Sequence, residues 1–310
     1  MAIDKPTIRA GKPPLAIKNG VSPNKLWLPI GDWKTALEFF QWKFPHLETA
    51  DCVKRFRQNE VISDSGEVLT ETSQYQAKQH IYFYRELKSE LQVPFREKII
   101  YQNDRILIVD KPHFLPVAPT GQYLHETLLV RLRKTTQIDS LELAHRLDRE
   151  TAGLVLLTKQ EKYRSYYHEL FAQRKIKKTY HAIAKANDVR FPINHKSHLT
   201  QAKDSMRMKE GDGKTNSETI IDLLKQNSNE YLLKLYPISG KKHQLRVHLA
   251  SIGMPIKNDP LYPYRGAKDP DDFRDPLQLV AKSLEFIDPI DGQPYCFTSN
   301  YGLDFSPYLS

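Results

Sequence analysis

A chain of 310 residues, 40% of them hydrophobic, carries enough apolar side chain for a folded core, which excludes wholesale disorder and leaves room for one large domain with a small companion. Lysine plus arginine outnumber aspartate plus glutamate 46 to 37, a net charge of +9, and that balance favours a polyanionic partner such as nucleic acid, or an anionic membrane surface. No apolar run approaches the roughly 20 residues of a membrane-spanning helix, residues 1–18 lack the apolar centre of a signal peptide, and Cys52 and Cys296 match no metal-ligand spacing; a cytoplasmic protein without structural disulfides is expected.

In chain order, residues 1–22 are rich in Lys, Pro and Gly and read as an extended arm. Residues 23–90 form a small unit. Ala36, Leu37, Phe39 and Phe40 mark one short helix and residues 52–56 a second. Residues 61–69 read as strand, turn, strand, with Asp64 to Gly66 in the turn, and residues 80–84 as a further strand. The polar stretch 90–97, interrupted by Pro94, places a boundary, and a larger domain fills 95–310.

That domain opens with the buried strand Ile106, Leu107, Ile108, Val109, ended by Lys111 and Pro112. Residues 126–134 predict a helix with Arg131, Arg133 and Lys134 on its exposed side. Gly153 leads into a second continuously apolar strand, 154–157. Tyr163, Tyr166, Tyr167, Leu170 and Phe171 follow the spacing of an amphipathic helix, and residues 179–184 alternate as a strand does. A polar loop at 205–216 precedes strands at 217–224 and 231–236 and a helix at 243–252. Residues 265–275 read as an acidic surface loop, and 277–286 as a last core element. Strands and helices mixed without a βαβ rhythm predict an α+β fold with a mixed, largely antiparallel sheet flanked by helices.

Two stretches resemble known motifs and do not match them. Gly211-Asp212-Gly213-Lys214-Thr215 lacks the first glycine of a phosphate loop, whose place is held by Met208, and reads as a solvated turn. His145-Arg146-Leu147-Asp148 has a different order from the His-Arg-Asp of kinases, and the other kinase motifs are missing.

Asp148 sits in a charged loop just before an apolar strand, a common place for catalytic groups. Arg146 and Arg149 flank it, so the loop can meet a phosphate backbone while presenting one carboxylate held ionised by its neighbours. Taken alone, a surface Asp–Arg pair is the commoner explanation.

The wider wording changes that balance. His145 to Lys159, reading His-Arg-Leu-Asp-Arg-Glu-Thr-Ala-Gly-Leu-Val-Leu-Leu-Thr-Lys, resembles the signature of the RluA-type pseudouridine synthases. Lys178-Thr179-Tyr180-His181-Ala182 resembles that family's Lys-x-Tyr-x-Ala strand. Ser239-Gly240-Lys241-Lys242-His243-Gln244-Leu245-Arg246-Val247-His248-Leu249-Ala250 resembles its third motif. The resemblance implies the family's catalytic fold over residues 99–290, and a role for each matching residue. Asp148 would break the N-glycosidic bond of a uridine, as nucleophile or base. Tyr180 would stack on the uracil and assist loss of its carbon-5 proton, and Arg246 would pair with Asp148. Arg146 would fill the space left by the extruded base. Arg149, Lys178, Lys241, Lys242 and His243 join Arg146 as expected RNA contacts. The basic run Lys162, Arg164, Arg174, Lys175, Lys177 and Lys178 suggests a track for the RNA.

An isomerisation of this kind needs no cofactor and no metal. The implied partner is ribosomal or transfer RNA, with no DNA, no membrane and a monomeric state expected. The unit at 23–90 resembles the small αL RNA-binding domain of ribosomal proteins. Departures from the family wording are Ala152 for Ser, Ser239 and Lys241 for Thr and Arg, Asn258 for Gly and Val280 for His. They spare the three catalytic positions and fall on substrate contacts. A non-catalytic RNA-binding or ribosome-assembly protein, and an enzyme that merely releases the base, are the competing functions.

Overall fold

In the N-terminal part, apolar residues at helical and strand spacing close around one aromatic core. The computed structural model describes residues 14–203, 207–263 and 269–306, and the chain divides into one unit ending at Ser89 and another beginning at Glu90. The first contains β1 (Asn24–Leu28), α1 (Ala36–Lys43), α2 (Thr49–Arg57), β2 (Ile62–Ser63) and β3 (Gln79–Phe83). Thr35 caps α1, its side chain accepting from the Glu38 amide at 3.1 Å. Phe39, Phe40, Cys52, Phe56, Ile81 and Phe83 are buried together. Three strands pair in the order β1-β3-β2. β1 is not expected from the sequence, because Lys25 and Trp27 break its short apolar pattern. The second strand expected after the turn at 64–66 shrinks to one bridge, Ile62 with Val68.

The second unit runs β4 (Lys98–Gln102), β5 (Ile106–Lys111), α3 (Leu128–Thr136), β6 (Glu142–Leu143) and β7 (Ala152–Thr158), then a 3-10 turn at Glu161–Tyr163 leading into α4 (Arg164–Ala172). There follow β8 (Lys177–Lys185), β9 (Ile193–Gln201), β10 (Met208–Gly211), β11 (Ser217–Gln226), β12 (Glu230–Pro237), α5 (Gln244–Ser251), β13 (Leu279–Ile287) and β14 (Pro294–Thr298). The main sheet has the order β10-β9-β11-β12-β8-β13-β7-β5-β4, with β14 beside β13 and β6 beside β7. The β13–β7 pairing is parallel and the others are antiparallel, the mixed, largely antiparallel sheet of the α+β expectation.

The apolar runs of β5 and β7 are explained by burial on both faces. Leu107, Val109, Val155 and Leu157 pack against Leu128, Leu129 and Leu132 of α3. Ile106, Ile108, Leu154 and Leu156 pack against Tyr167 and Leu170 of α4 and Phe286 of β13. A third cluster joins Ala182, Ala184, Leu233 and Leu235 to Leu245 and Leu249 of α5. Gly153 is required where β13 meets β7. Its φ is +112°, and a Cβ there would lie 2.3 Å from the Ala281 carbonyl oxygen.

Several expectations are corrected. Arg131 and Arg133 do not face solvent on α3. Arg131 is buried against Glu126 and Glu97, donating to the Val93 carbonyl at 2.6 Å and the Phe95 carbonyl at 2.7 Å, while Arg133 donates to the Leu141 carbonyl at 2.8 Å. Their planar donor forks satisfy backbone carbonyls beside the core, which a simple polar-out rule misses. Within the loop expected at 205–216, residues 208–211 are β10, paired with β9; two-sided polarity hid both strands. Residues 277–286 are not the last element, because β14 follows and returns to β13. Residues 1–13 of the expected arm, 205–206 of the polar loop and 265–268 of the acidic loop lie outside the described residues. Among the described residues no helix is long and apolar enough to cross a membrane.

Candidate active site

All nine side chains singled out from the sequence line one cleft of the second unit, with a volume of about 1170 Å³. Four stretches of chain far apart in sequence build it. They are the segment between β5 and α3, the loop between β6 and β7, the end of α4 with strand β8, and the run from the end of β12 into the first turn of α5.

The loop that presents Asp148 is pinned on both sides. Before it, His145 stacks on Phe171 with ring centroids 4.4 Å apart, and its Nε2 accepts the Leu156 amide at 3.1 Å. Burial, with the Lys178 charge added, pulls the His145 imidazole down to about 3, so it stays the neutral acceptor that this contact needs. After Asp148, the Arg149 carbonyl accepts from the Nζ of Lys111 at 3.1 Å. Lys111 is wholly buried and also donates to the Pro112 and Leu115 carbonyls, each at 2.8 Å. All three of its protons therefore have partners, although burial pulls its ammonium down to about 7 against the charges of Glu150 and Asp148. The Asp148 carboxylate stands between these anchors with its side chain 26% exposed to the cleft.

Arg246 is the most deeply set of the group. It is 1% exposed and reaches Asp148 through Nη1 at 3.2 Å. Its stronger attachment is to Asp259, which accepts from Nε at 2.8 Å and from Nη2 at 2.7 Å. Asp259 in turn accepts the backbone amides of Leu261 at 2.8 Å and Tyr262 at 3.1 Å. Burial opposes the guanidinium charge, but the Asp259 hydrogen bonds and charge, then the Asp148 charge, outweigh it and raise the Arg246 pKa. Arg246 is thus a bridge between a buried carboxylate and one that faces the cleft.

Tyr180 is on β8, where Leu235 and Ala281 flank it in register. Burial, and then the Asp148 charge, push its phenol well above the ordinary value, so the hydroxyl is held protonated. His243 adopts a left-handed conformation, φ 54°, immediately before α5. Its Nδ1 lies 2.8 Å from the Tyr262 hydroxyl, which already accepts the Met208 amide at 2.7 Å. Its Nε2 lies 3.8 Å from Asp148 Oδ1. Burial lowers the His243 pKa, against the Asp148 charge that raises it. Gln244 locks the preceding segment, since its Oε1 accepts the Ser239 hydroxyl at 2.7 Å and the Lys241 amide at 3.1 Å.

The basic residues separate into two kinds. Arg146, Lys241 and Lys242 are exposed on the cleft wall. Lys178 is half-buried, donating to the Ser239 carbonyl at 3.3 Å, and burial, then Arg174, pull its ammonium down to about 8. Arg149 is taken up within the protein, paired with Glu150 at 3.0 Å, donating to the Pro270 carbonyl at 2.8 Å and lying over the Phe114 and Tyr123 rings. Of the suggested basic track, Arg174 and Lys178 line the cleft, whereas Lys177 pairs with Glu285 at 3.1 Å and Arg164 donates to the Ser140 carbonyl at 3.1 Å. The sequence reading missed Asp259, Lys111 and Tyr262. The signal for Asp259 was a lone carboxylate just after the apolar run Met254, Pro255, Ile256, opposite an arginine on an apolar helix.

Residues 105–251 match a family model described as RNA pseudouridylate synthase. Over 229 residues the chain is 31% identical to the ribosomal large subunit pseudouridine synthase C of Buchnera aphidicola subsp. Acyrthosiphon pisum, covering 69% of this chain and 70% of that one. It is 30% identical over 166 residues to human pseudouridylate synthase RPUSD2, covering 53% of this chain and only 30% of that relative's length. Human RNA pseudouridylate synthase domain containing 4 has a similar solved fold, with a TM-score of 0.54 at 24% identity over 66% of this chain and 88% of that one.

Proposed function

The chain belongs to the RluA-type family of RNA pseudouridine synthases, and on that premise we propose that it isomerises uridine to pseudouridine within structured RNA, with Asp148 as the reacting carboxylate. The observation that carries this reading is the Asp148 carboxylate itself. It opens into a cleft large enough for an extruded nucleotide and is held from behind by an arginine clamped to Asp259.

The chemistry asks little else of the protein. The bond between N1 and the ribose C1′ breaks, the uracil turns, and C5 bonds to C1′. The C5 proton is lost and N1 ends protonated, so no atom or electron is gained. Asp148 acts at the ribose or base as nucleophile or general base. Arg246 pairs with it and fixes its rotamer. Tyr180 offers a ring face to the uracil and a protonated hydroxyl near the reacting atoms. Arg146, exposed on the wall beside Asp148, is placed to occupy the gap in the RNA stack. Lys178, Lys241 and Lys242 meet phosphates, and His243 borders the carboxylate. Arg149, held by Glu150 and the Pro270 carbonyl, is given the part of holding the loop rather than of binding RNA.

Ribosomal or transfer RNA is the substrate class in this reading, and the printed name of the Buchnera relative refers to the large ribosomal subunit. The unit ending at Ser89 is taken as an RNA-binding module of the αL kind. A cytoplasmic setting and a monomeric state complete the proposal, and two free cysteines, Cys296 exposed, suit a reducing compartment.

Asp148→Asn and Asp148→Ala test it directly. Both should form no pseudouridine in RNA while binding that RNA as the wild type does; full product from either refutes the assignment. Silent substitutions at Asp148 with an RNA-binding defect on charge reversal of Lys241 and Lys242 would instead identify a binding protein. Mapping pseudouridines in total RNA from cells with and without the gene identifies the uridine.

A further inference from the structure

Outside the cleft, a cluster of metal-ligating side chains is used by nothing in the reaction. His195 on β9, Glu210 on β10 and His248 on α5 bring one potential ligand atom each to within 4.8 Å of one another. We propose that these three residues bind a divalent transition-metal ion of the zinc type, tying the edge hairpin β9–β10 to helix α5.

The donor set argues for the class of ion. Two imidazoles and one carboxylate suit zinc and its neighbours, whereas magnesium and calcium prefer all-oxygen surroundings. Ligand bonds of about 2.0–2.1 Å in a tetrahedron put donor atoms roughly 3.3 Å apart. The pair His195 Nε2 and Glu210 Oε1 stands at 2.6 Å, and the widest separation is 4.8 Å, so the present distances bracket the required one. His195 and Glu210 side chains are 17% and 31% exposed, free enough for the small rotations that would even out those distances. His248 is the fixed member, at 0% exposure. Water would complete the shell on the open side, beside the Ser251 hydroxyl, which lies 3.2 Å from Glu210 Oε1.

The surroundings of His248 resemble those of a ligand. Its Nδ1 is 2.9 Å from the Thr219 hydroxyl, which in turn accepts from Gln244 at 2.9 Å. A polar partner on the far nitrogen is the usual device for orienting a metal-binding imidazole. At its Nε2 stand the hydroxyls of Ser217 at 3.0 Å and Ser197 at 3.1 Å. Ser217 donates to the Ser197 carbonyl at 2.8 Å, so its proton is engaged elsewhere.

The ion would brace the sheet edge next to the cleft. β10 already reaches toward it through the Met208 amide, the Tyr262 hydroxyl and His243. The proposal does not depend on the reaction assigned to Asp148, and its test does not read activity.

The test uses the full chain stripped with a chelator, then titrated with Zn2+ by calorimetry and with Co2+ by visible absorption. One ion per chain, tetrahedral Co2+ bands and a thermal midpoint raised by Zn2+ but not by Mg2+ are expected. His195→Ala and Glu210→Gln, both at partly exposed positions, should keep the wild-type circular dichroism and weaken Zn2+ binding by at least about tenfold. Absence of Zn2+ heat and Co2+ bands, or affinity undiminished in either variant, overturns the site and leaves a metal-free hydrogen-bond network. An equal midpoint shift with Mg2+ overturns the zinc-type assignment.

Discussion

Replacing Asp259 with alanine separates what holds the site together from what reacts in it. In the wild type, Asp259 accepts two charge-assisted bonds from a guanidinium that is 1% exposed, and two backbone amides besides. Removing it leaves Arg246 buried with one ion pair, the 3.2 Å contact to Asp148, and the Tyr262 ring 5.4 Å away. Breaking one side of a buried ion pair costs about 3–5 kcal/mol, and the orphaned amides push the figure toward its upper end. Against a total stability of about 5–15 kcal/mol, that is a large loss. The assay is urea unfolding followed by far-UV circular dichroism. Tryptophan fluorescence is unsuitable, because Trp27, Trp33 and Trp42 all lie in the unit that ends at Ser89 and report nothing of this pair. The double variant Arg246→Met, Asp259→Leu removes both charges and fills the space, so it should regain most of the lost stability. It should remain inactive, since Asp148 loses its partner. A midpoint for Asp259→Ala equivalent to less than about 1 kcal/mol of destabilisation would refute the clamp.

Other consequences are as specific. Tyr180→Phe keeps the ring and removes a hydroxyl held protonated by burial and Asp148; RNA binding should persist while turnover falls by about 10²–10³-fold, and an unchanged rate would leave the ring with stacking alone. Lys178, whose folded-state pKa is lowered to about 8, carries its charge below that pH and sheds it above. The salt slope of RNA binding should therefore shrink by about one contact between roughly pH 7 and pH 9; equal slopes would remove Lys178 from the phosphate contacts. The sign for stability is the reverse, because the unfolded chain keeps that proton to about pH 10.4 and the fold does not, so this residue makes the protein more stable as pH rises from about 8. Gly153→Ala forces a side chain into φ +112° and against the Ala281 backbone, with an expected cost of about 3 kcal/mol or more, visible as a lower thermal midpoint; a neutral effect would mean that the β7–β13 junction can open.

What was legible in the sequence had strong local causes. The runs at β5 and β7 are apolar because both sheet faces are covered, and the α4 stripe faces one core except at Tyr166, which is exposed, so each declares itself over a few residues. β9 and β10 do not, since His195, Lys196, Ser197 and His198 set polar beside polar and leave no apolar face to announce the pairing. The nine site residues share one cleft because their motifs lie where strands and helix end at it. Asp259 was hidden for a different reason. A buried carboxylate makes sense only beside its arginine, 13 positions away in sequence, and a solvated arginine is the ordinary expectation for a helix. Arg131 and Arg133 misled in the same way.

The place of β13 has a consequence for how the protein comes into being. Residues 279–287 insert between β7, which follows the Asp148 loop, and β8, which carries Tyr180. The Asp148 loop and Tyr180 come first in the chain, and the strand that registers them follows about a hundred residues after Tyr180. A nascent chain that has not exposed Leu279–Ile287 holds a carboxylate and a tyrosine with no common sheet to fix their spacing. Pairings over such sequence distances close slowly. Until this late strand slots home, the Asp148 loop and Tyr180 have no shared sheet to set their spacing.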